Sequence, residues 1–347
     1  MDFQTFLILA QDGLTSSSIY LLLAIAMILV FGATRILWVP QGEFVSFGAL
    51  TLASFQIGLV PGTVWLLLFL ALAAAVIETV RLLSAGAARR LPPALARTLI
   101  PAVLISAAGY VCAPMKLALA WQVLLTLAIV TAMGPLLYKI CFRALADASV
   151  LVLLIAAVAL HFVLVGCGLF FFGPEGVRTP RFSDAQWVVG PLTISGESVA
   201  VYIITIALSG MLAWFFGRTV YGRALRAVAY NRHGARLVGI SPSIAGTLSF
   251  GVAAAIGALS GVLIGSITTI YYDSGFLIGL KGFVGAIVGG LASYPLAALG
   301  ALVVGFLESF CAFWISSYKD GIVFTLIIPV LLWRSLTAVH YEEEEEE

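Results

Sequence analysis

Four ionisable side chains stand in otherwise apolar sequence: Glu43, His161, Lys281 and Glu308. At membrane depth such groups face protein or water, because exposure to lipid costs a few kcal/mol. They suit two kinds of chemistry: ion pairing that holds broken helices together, or a relay that passes a cation or proton between helices. Glu43 lies in Pro40-Gln41-Gly42-Glu43-Phe44, which interrupts the first hydrophobic region, and Lys281 lies in Gly279-Leu280-Lys281-Gly282-Phe283, which opens a glycine-rich region ending near Gly300. Both segments are expected to be bent or re-entrant, a pattern that in both halves of a chain points to a transporter's central pathway. Gly42, Glu43, Lys281, Gly282, Gly289 and Gly290 are the candidates for lining or shaping it. Glu308, in LVVGFLESFCAFW, joins them as a residue that caps a half-helix, pairs with Lys281 or lies near the membrane surface. His161 reads as a packed interhelical histidine that must find a polar partner.

A second constellation is Arg218–Arg236 (RTVYGRALRAVAYNRHGAR), with five arginines and no acid. It reads as a basic cytoplasmic loop. Residues 222–232 have the pattern of a short helix with Ala224, Ala227 and Val228 on one face, and Gly239 with Pro242 ends its register before the next apolar segment. Other chemistries find no support. H-E-x-x-H, G-x-S-x-G and paired membrane aspartates are absent, and so is any G-x-x-x-x-G-K-[ST] loop to cradle ATP phosphates. Cys112, Cys141, Cys167 and Cys311 lack CxxC spacing and read as buried packing, so no catalytic or metal site is expected.

The elements that position these residues must be membrane helices. The chain is 62% hydrophobic and 10% charged, with mean hydropathy +1.11, far from the roughly 25% charge of soluble domains. Charge-free stretches at 13–34, 44–77, 117–138, 148–174, 198–217, 237–272 and 282–307 reach or exceed the roughly 20 residues needed to cross hydrocarbon. The fold class is therefore all-α, a single polytopic transmembrane bundle over 1–347 with re-entrant or broken helices. The first apolar stretch lacks a basic n-region and reads as a transmembrane helix, not a cleaved signal. The arginine-rich ends at 218–236, at 78–97 and at Lys139 and Arg143 alternate with the acidic, turn-rich 174–197 connection. That alternation places the N-terminus outside and the C-terminus in the cytoplasm, with about eleven passes counting short or broken ones.

Gly257, Gly261 and Gly265 fall on one helix face, suited to tight packing within the bundle or to a subunit interface. GEFVSFGALTLAS and KGFVGAIVGGLAS suggest an internal repeat. The six glutamates at the end of the acidic tail, 341–347, lower the formal charge from +7 to +1; they read as a solvated terminus without function.

YGRALRAVAYNRHGARLVGISPS resembles the cytoplasmic loop of permease subunits in the ABC importers for branched-chain amino acids, where "G-x-A-x-R-A-x-A-x-N…A…x-G-I" precedes a transmembrane helix. Gly222, Ala224, Arg226, Ala227, Ala229, Asn231, Ala235, Gly239 and Ile240 carry the match. GATRILWVPQGEFVSFGAL and GLKGFVGAIVGGLASYPLAALGALVVGFLES resemble two further family blocks, in the right order. Gln41 stands where the family has histidine and Trp38 where it has asparagine. Residues 80–137 have no placed counterpart and read as an inserted helical pair.

The resemblance implies that 218–243 is a coupling loop, with Gly222, Arg223, Ala224, Arg226, Ala227, Asn231 and Gly239 docking on a partner ATPase. It further implies two ATPase subunits that bind the ATP, leaving this chain without cofactor or catalysis. A second permease subunit, a paralogue in preference to another copy, and an extracytoplasmic solute-binding protein complete the complex in a bacterial inner membrane, with no nucleic acid involved. The substrate class is branched-chain or related small amino acids or amides. The rival is an ion-coupled secondary transporter or channel, with Glu43, Lys281, Glu308 and His161 as relay groups and no ATPase.

Overall fold

The computed structural model describes residues 2–183, 185–190 and 192–337; the acidic tail lies outside the described residues. The helices are α1 (Phe3–Thr34), α2 (Gln41–Ile57), α3 (Gly62–Ser84), α4 (Leu91–Cys112), α5 (Leu119–Leu137, extended by a π turn at Tyr138–Phe142), α6 (Val150–Phe172) and α7 (Gly196–Arg218). They continue with α8 (Val220–Tyr230), α9 (Arg232–Leu237), α10 (Pro242–Ile267), α11 (Ser274–Val288), α12 (Tyr294–Trp314), α13 (Lys319–Thr325) and α14 (Ile327–Thr337). The one sheet among the described residues is a hairpin of β1 (Gln186–Val189) and β2 (Leu192–Ser195). The protein is thus an all-α, polytopic membrane bundle.

Nine helical stretches among the described residues are long and apolar enough to cross a membrane. α2 and α11 have 17 and 15 residues, so α11 spans about 22 Å, short of the roughly 30 Å of hydrocarbon. Neither belongs to those nine.

The centre of the bundle is α1, α2 and α10. Lipid offers no hydrophobic drive for helix association, so close approach depends on small residues. Gly257, Gly261 and Gly265 all face α2: a Cβ on Gly257 would lie 2.6 Å from Phe44 Cβ, and one on Gly261 would strike the Val45 carbonyl. Gly48 answers from α2, with Ala258 O only 2.5 Å from where its Cβ would be. This glycine stripe therefore packs within the chain. α4 and α5, formed from residues 80–137, are an antiparallel pair. α4 lies at the edge of the bundle, whereas α5 buries Ile129, Val130 and Met133 and sets Gly134 against the α10 backbone at Phe250.

The basic ends collect on one face. Glu78 bridges Arg81 and Arg143 at 3.0 Å each, Arg236 pairs with Asp147 at 3.0 Å, and Arg232 donates to Ala146 O at 3.2 Å. On the opposite face the start of α1 meets the hairpin through Gln11 Nε2 to Thr193 O, and Val177 bridges Ile270 across two loops.

The repeat suggested by sequence does not hold element by element. Phe44 is in the first turn of α2, whereas Phe283, aligned with it, sits deep in α11. Ala292 and Ser293 fall in the turn after α11, while Ala53 and Ser54 are still helical.

Candidate functional site

α1 ends at Arg35, whose backbone is left-handed (φ 59°) and whose N–H returns to Phe31 O. The chain then re-enters the bundle along residues 36–40. Trp38, 2% exposed, anchors that turn with its ring centroid 4.5 Å from Phe250 and within 6 Å of Phe44 and Phe142. Pro40 fits the start of α2 because it has no N–H to leave unbonded. Gln41 Nε2 donates to Ala253 O, midway along α10, at 2.9 Å, so α2 starts inside the bundle. α11 starts inside it as well, from the other face, after residues 268–273.

The two broken helices cross at their N-terminal turns. Gly42 abuts the Gly275 carbonyl so closely that neither tolerates a Cβ, and a Cβ on Gly279 would lie 2.9 Å from the Gly42 backbone. α11 has no side-chain cap of its own. Ser46 of α2 supplies one: its hydroxyl accepts from Gly275 N at 2.8 Å and lies 3.2 Å from Tyr271 O. This satisfies one of the N–H groups that a helix start leaves open, which matters where no water is at hand.

Glu43 sits at this crossing, 2% exposed, with Oε1 2.5 Å from His161 Nδ1 of α6. The His161 ring lies 4.3 Å from that of Phe276 in α11. Glu43 Oε2, Gln41 Oε1 and Trp38 Nε1 are buried without partners. One turn of sequence, together with His161 of α6, thus places an acid–imidazole pair and three unsatisfied polar atoms in the middle of an apolar bundle.

Lys281 is elsewhere. The sequence put a break at Gly279–Phe283, but α11 runs straight through it and the true breaks are residues 268–273 and 289–293. A helix tolerates spaced glycines when neighbours pack on them; here a Cβ on Gly282 would lie 2.6 Å from Leu23 Cβ. Lys281 meets Glu308 of α12, the acid expected to pair with it, at 2.5 Å, and also Asp320 of α13 at 2.9 Å. Tyr20 of α1 donates its hydroxyl to the other Glu308 oxygen. Gly289 and Gly290 shape the α11–α12 turn, Gly290 with φ 63°. The candidates therefore divide: Gly42 and Glu43 at the crossing, Lys281, Gly282 and Glu308 in a clamp joining α1, α11, α12 and α13, and the remaining glycines in a turn. His161, read from sequence as packing, belongs to the crossing. Ser46, Gly275, Tyr20 and Asp320 were missed, since nothing local marks a serine as a cap for another helix.

The basic loop folds as two helices. Thr219 caps α8 by accepting from Gly222 N at 3.0 Å, and a Cβ on Gly222 would strike the Phe215 carbonyl, so the tight α7–α8 turn requires glycine. α8 starts and ends two residues earlier than expected. Its buried face is Gly222, Leu225 and Val228, with Ala224 and Ala227 half-buried beside it and Arg223 and Arg226 exposed. Asn231 ends α8 and caps α9, its Oδ1 accepting from Gly234 N at 2.8 Å. Gly239 takes the left-handed turn (φ 84°) that leads into α10. The four cysteines are free and half-buried, and no metal-ligating cluster occurs among the described residues.

A polytopic bundle with two discontinuous helices meeting at its centre, and a capped amphipathic helix pair on its basic face, is the architecture of a membrane transport protein. Comparison with known proteins makes this specific. Residues 9–331 match the family described as the permease component of branched-chain amino acid transport systems, and the chain belongs to it. The high-affinity branched-chain amino acid permease LivH of Escherichia coli K12 is 31% identical over 211 residues, covering 59% of this chain and 68% of LivH. BraD of Pseudomonas aeruginosa, a permease of the same description, is 30% identical over 213 residues, covering 59% and 69%. The autoinducer 2 import permease LsrC of Shigella flexneri is 27% identical over 140 residues, covering 40% and 39%. No solved structure matches.

Proposed function

We propose that this chain is the transmembrane subunit of an ABC importer for branched-chain or related small amino acids or amides. It works in a bacterial inner membrane with two separate ATPase subunits, a second permease subunit that is a paralogue, and an extracytoplasmic solute-binding protein. The basic face is the cytoplasmic one, by the excess of Arg in its short loops; this puts the N-terminus outside and the C-terminus inside. The observation that carries the reading is the α8–α9 pair: α8 is amphipathic, Thr219 and Asn231 cap the two helix starts, and Gly222 and Gly239 form the tight turns at either end. Such a pair fits a groove in an ATPase and passes its closure to α7 and α10. The pathway runs by the α2–α11 crossing, with Glu43 and His161 beside it.

The buried Glu43–His161 pair is also what an ion-coupled transporter would use as a relay. One experiment separates the readings. Arg223→Glu with Arg226→Glu reverses the exposed charge of α8 without touching its buried face, and in reconstituted complexes it should abolish substrate-stimulated ATP hydrolysis while the subunit still inserts. Normal coupled hydrolysis in that variant, or uptake by the chain without any ATPase, would overturn the proposal.

A further inference from the structure

We propose that the cleft between Arg35, Arg232 and the first turn of α6 is a binding site for a phosphate-bearing anion, with the headgroup of an anionic phospholipid from the adjoining leaflet as its occupant. The cleft has a volume of about 620 Å³ and brings together residues far apart in sequence: Arg35 at the end of α1, Asp147 and Ser149 before α6, and Asn231, Arg232 and Arg236 from α9 and its cap. Three guanidiniums line it against one carboxylate. Arg236 and Asp147 neutralise each other at 3.0 Å. Arg232 uses one nitrogen on Ala146 O, while its Nε is buried with no acceptor. The Arg35 side chain is exposed and makes no hydrogen bond or ion pair with any described residue, while its backbone is fixed by the left-handed end of α1, its N–H bonded to Phe31 O.

Two uncompensated cations thus face one cavity. Ser149 caps the 23-residue α6 at the same place, and the positive end of a helix dipole adds to the attraction for an anion. Guanidinium groups bind phosphate through paired, charge-assisted hydrogen bonds. The lipid source follows from α6 itself: Leu151, Ile155 and Phe162 are 65%, 61% and 68% exposed along its outer face, giving acyl chains an apolar path away from the cleft. Because Asn231 both lines the cleft and joins α8 to α9, an occupant braces the segment that couples to the ATPase. That consequence, unlike the site, rests on the function proposed above.

The test is native mass spectrometry of the purified full-length chain with an equimolar mixture of phosphatidylglycerol and phosphatidylcholine. The wild type should retain phosphatidylglycerol selectively, and Arg35→Gln with Arg232→Gln should weaken its binding by about a hundred-fold, the least expected for two lost charge-assisted bonds. Arg35→Gln alone, on an exposed side chain, gives an intermediate loss and guards against misfolding of the double variant. Arg89→Gln, on the same face but outside the cleft, should change nothing. Displacement of the lipid by excess inorganic phosphate would show that a soluble phosphate ester can also occupy the site; no displacement assigns it to lipid alone. Equal retention of both lipids by the wild type, or undiminished phosphatidylglycerol on a correctly folded double variant, overturns the proposal. In nanodiscs of phosphatidylcholine alone, substrate-stimulated hydrolysis by the reconstituted complex should fall. If binding is intact but hydrolysis does not depend on the lipid, the site stands and its role in coupling does not.

Discussion

Replacing Lys281 with Met removes one cation from beneath two acids while keeping the apolar stem. In the native clamp the Lys281 side chain is 8% exposed, Glu308 13% and Asp320 38%. Losing one partner of a buried pair costs about 3–5 kcal/mol, because the other charge stays buried without compensation. Asp320 is more than a third exposed and is screened by its surroundings, so most of the loss falls on Glu308, left with the Tyr20 hydroxyl. We therefore expect about 3 kcal/mol, a change of about a hundred-fold in the folding equilibrium. The same geometry orders a series. Lys281→Met should be the most damaging, Glu308→Gln milder because Lys281 keeps Asp320, and Asp320→Asn the mildest. Adding Glu308→Gln to Lys281→Met should recover a large part of the loss. Thermal melting of the detergent-solubilised permease, followed by the monodisperse fraction, measures all four. A Lys281→Met midpoint equal to wild type, or a double variant worse than the single, would refute the buried-clamp argument.

Glu43→Gln should leave insertion intact and strongly reduce uptake, and a double-mutant cycle with His161→Leu should return a coupling energy of about 0.5–3 kcal/mol; strict additivity would mean the two groups do not interact. Gly261→Ala forces a methyl into the Val45 carbonyl and should cost about 1–3 kcal/mol by overpacking. Gly210→Ala has open space around it and should be neutral or slightly stabilising; similar melting of these two variants would show that the α2–α10 contact is not tight. Single cysteines at Ser183 and Asn231, in a chain lacking the native four, should react with a membrane-impermeant thiol reagent from opposite sides. Labelling of both from outside would reverse the orientation.

The membrane class, the helical spans and the alternation of basic and acidic ends were legible because each depends on local composition: about twenty apolar residues must span hydrocarbon whatever they pack against. The turns and caps of the basic loop were legible too, since Gly222, Asn231 and Gly239 serve local backbone needs. The glycine stripe on α10 showed that something must approach closely. That the neighbour is α2, and not another subunit, required the folded chain. Lys281 shows the limit most clearly. Its ionisable group in apolar sequence demanded a partner, and Glu308 was one candidate, but Asp320 and Tyr20 were unmarked. The break in the second half was misplaced because glycines in sequence do not distinguish a helix end from a helix packed against its neighbours.

By itself, then, the sequence determined what each segment must do about its own backbone and solvent: which stretches enter lipid, which ends stay in water and where a turn requires glycine. Only the tertiary structure decided the pairings across the bundle, Glu43 with His161, Lys281 with Glu308 and Asp320, and Ser46 with the start of α11. Groups 27 to 229 residues apart meet through the relative placement of α2, α6, α11, α12 and α13, and no local propensity encodes that placement; it arises from the summed packing of small residues along whole helices.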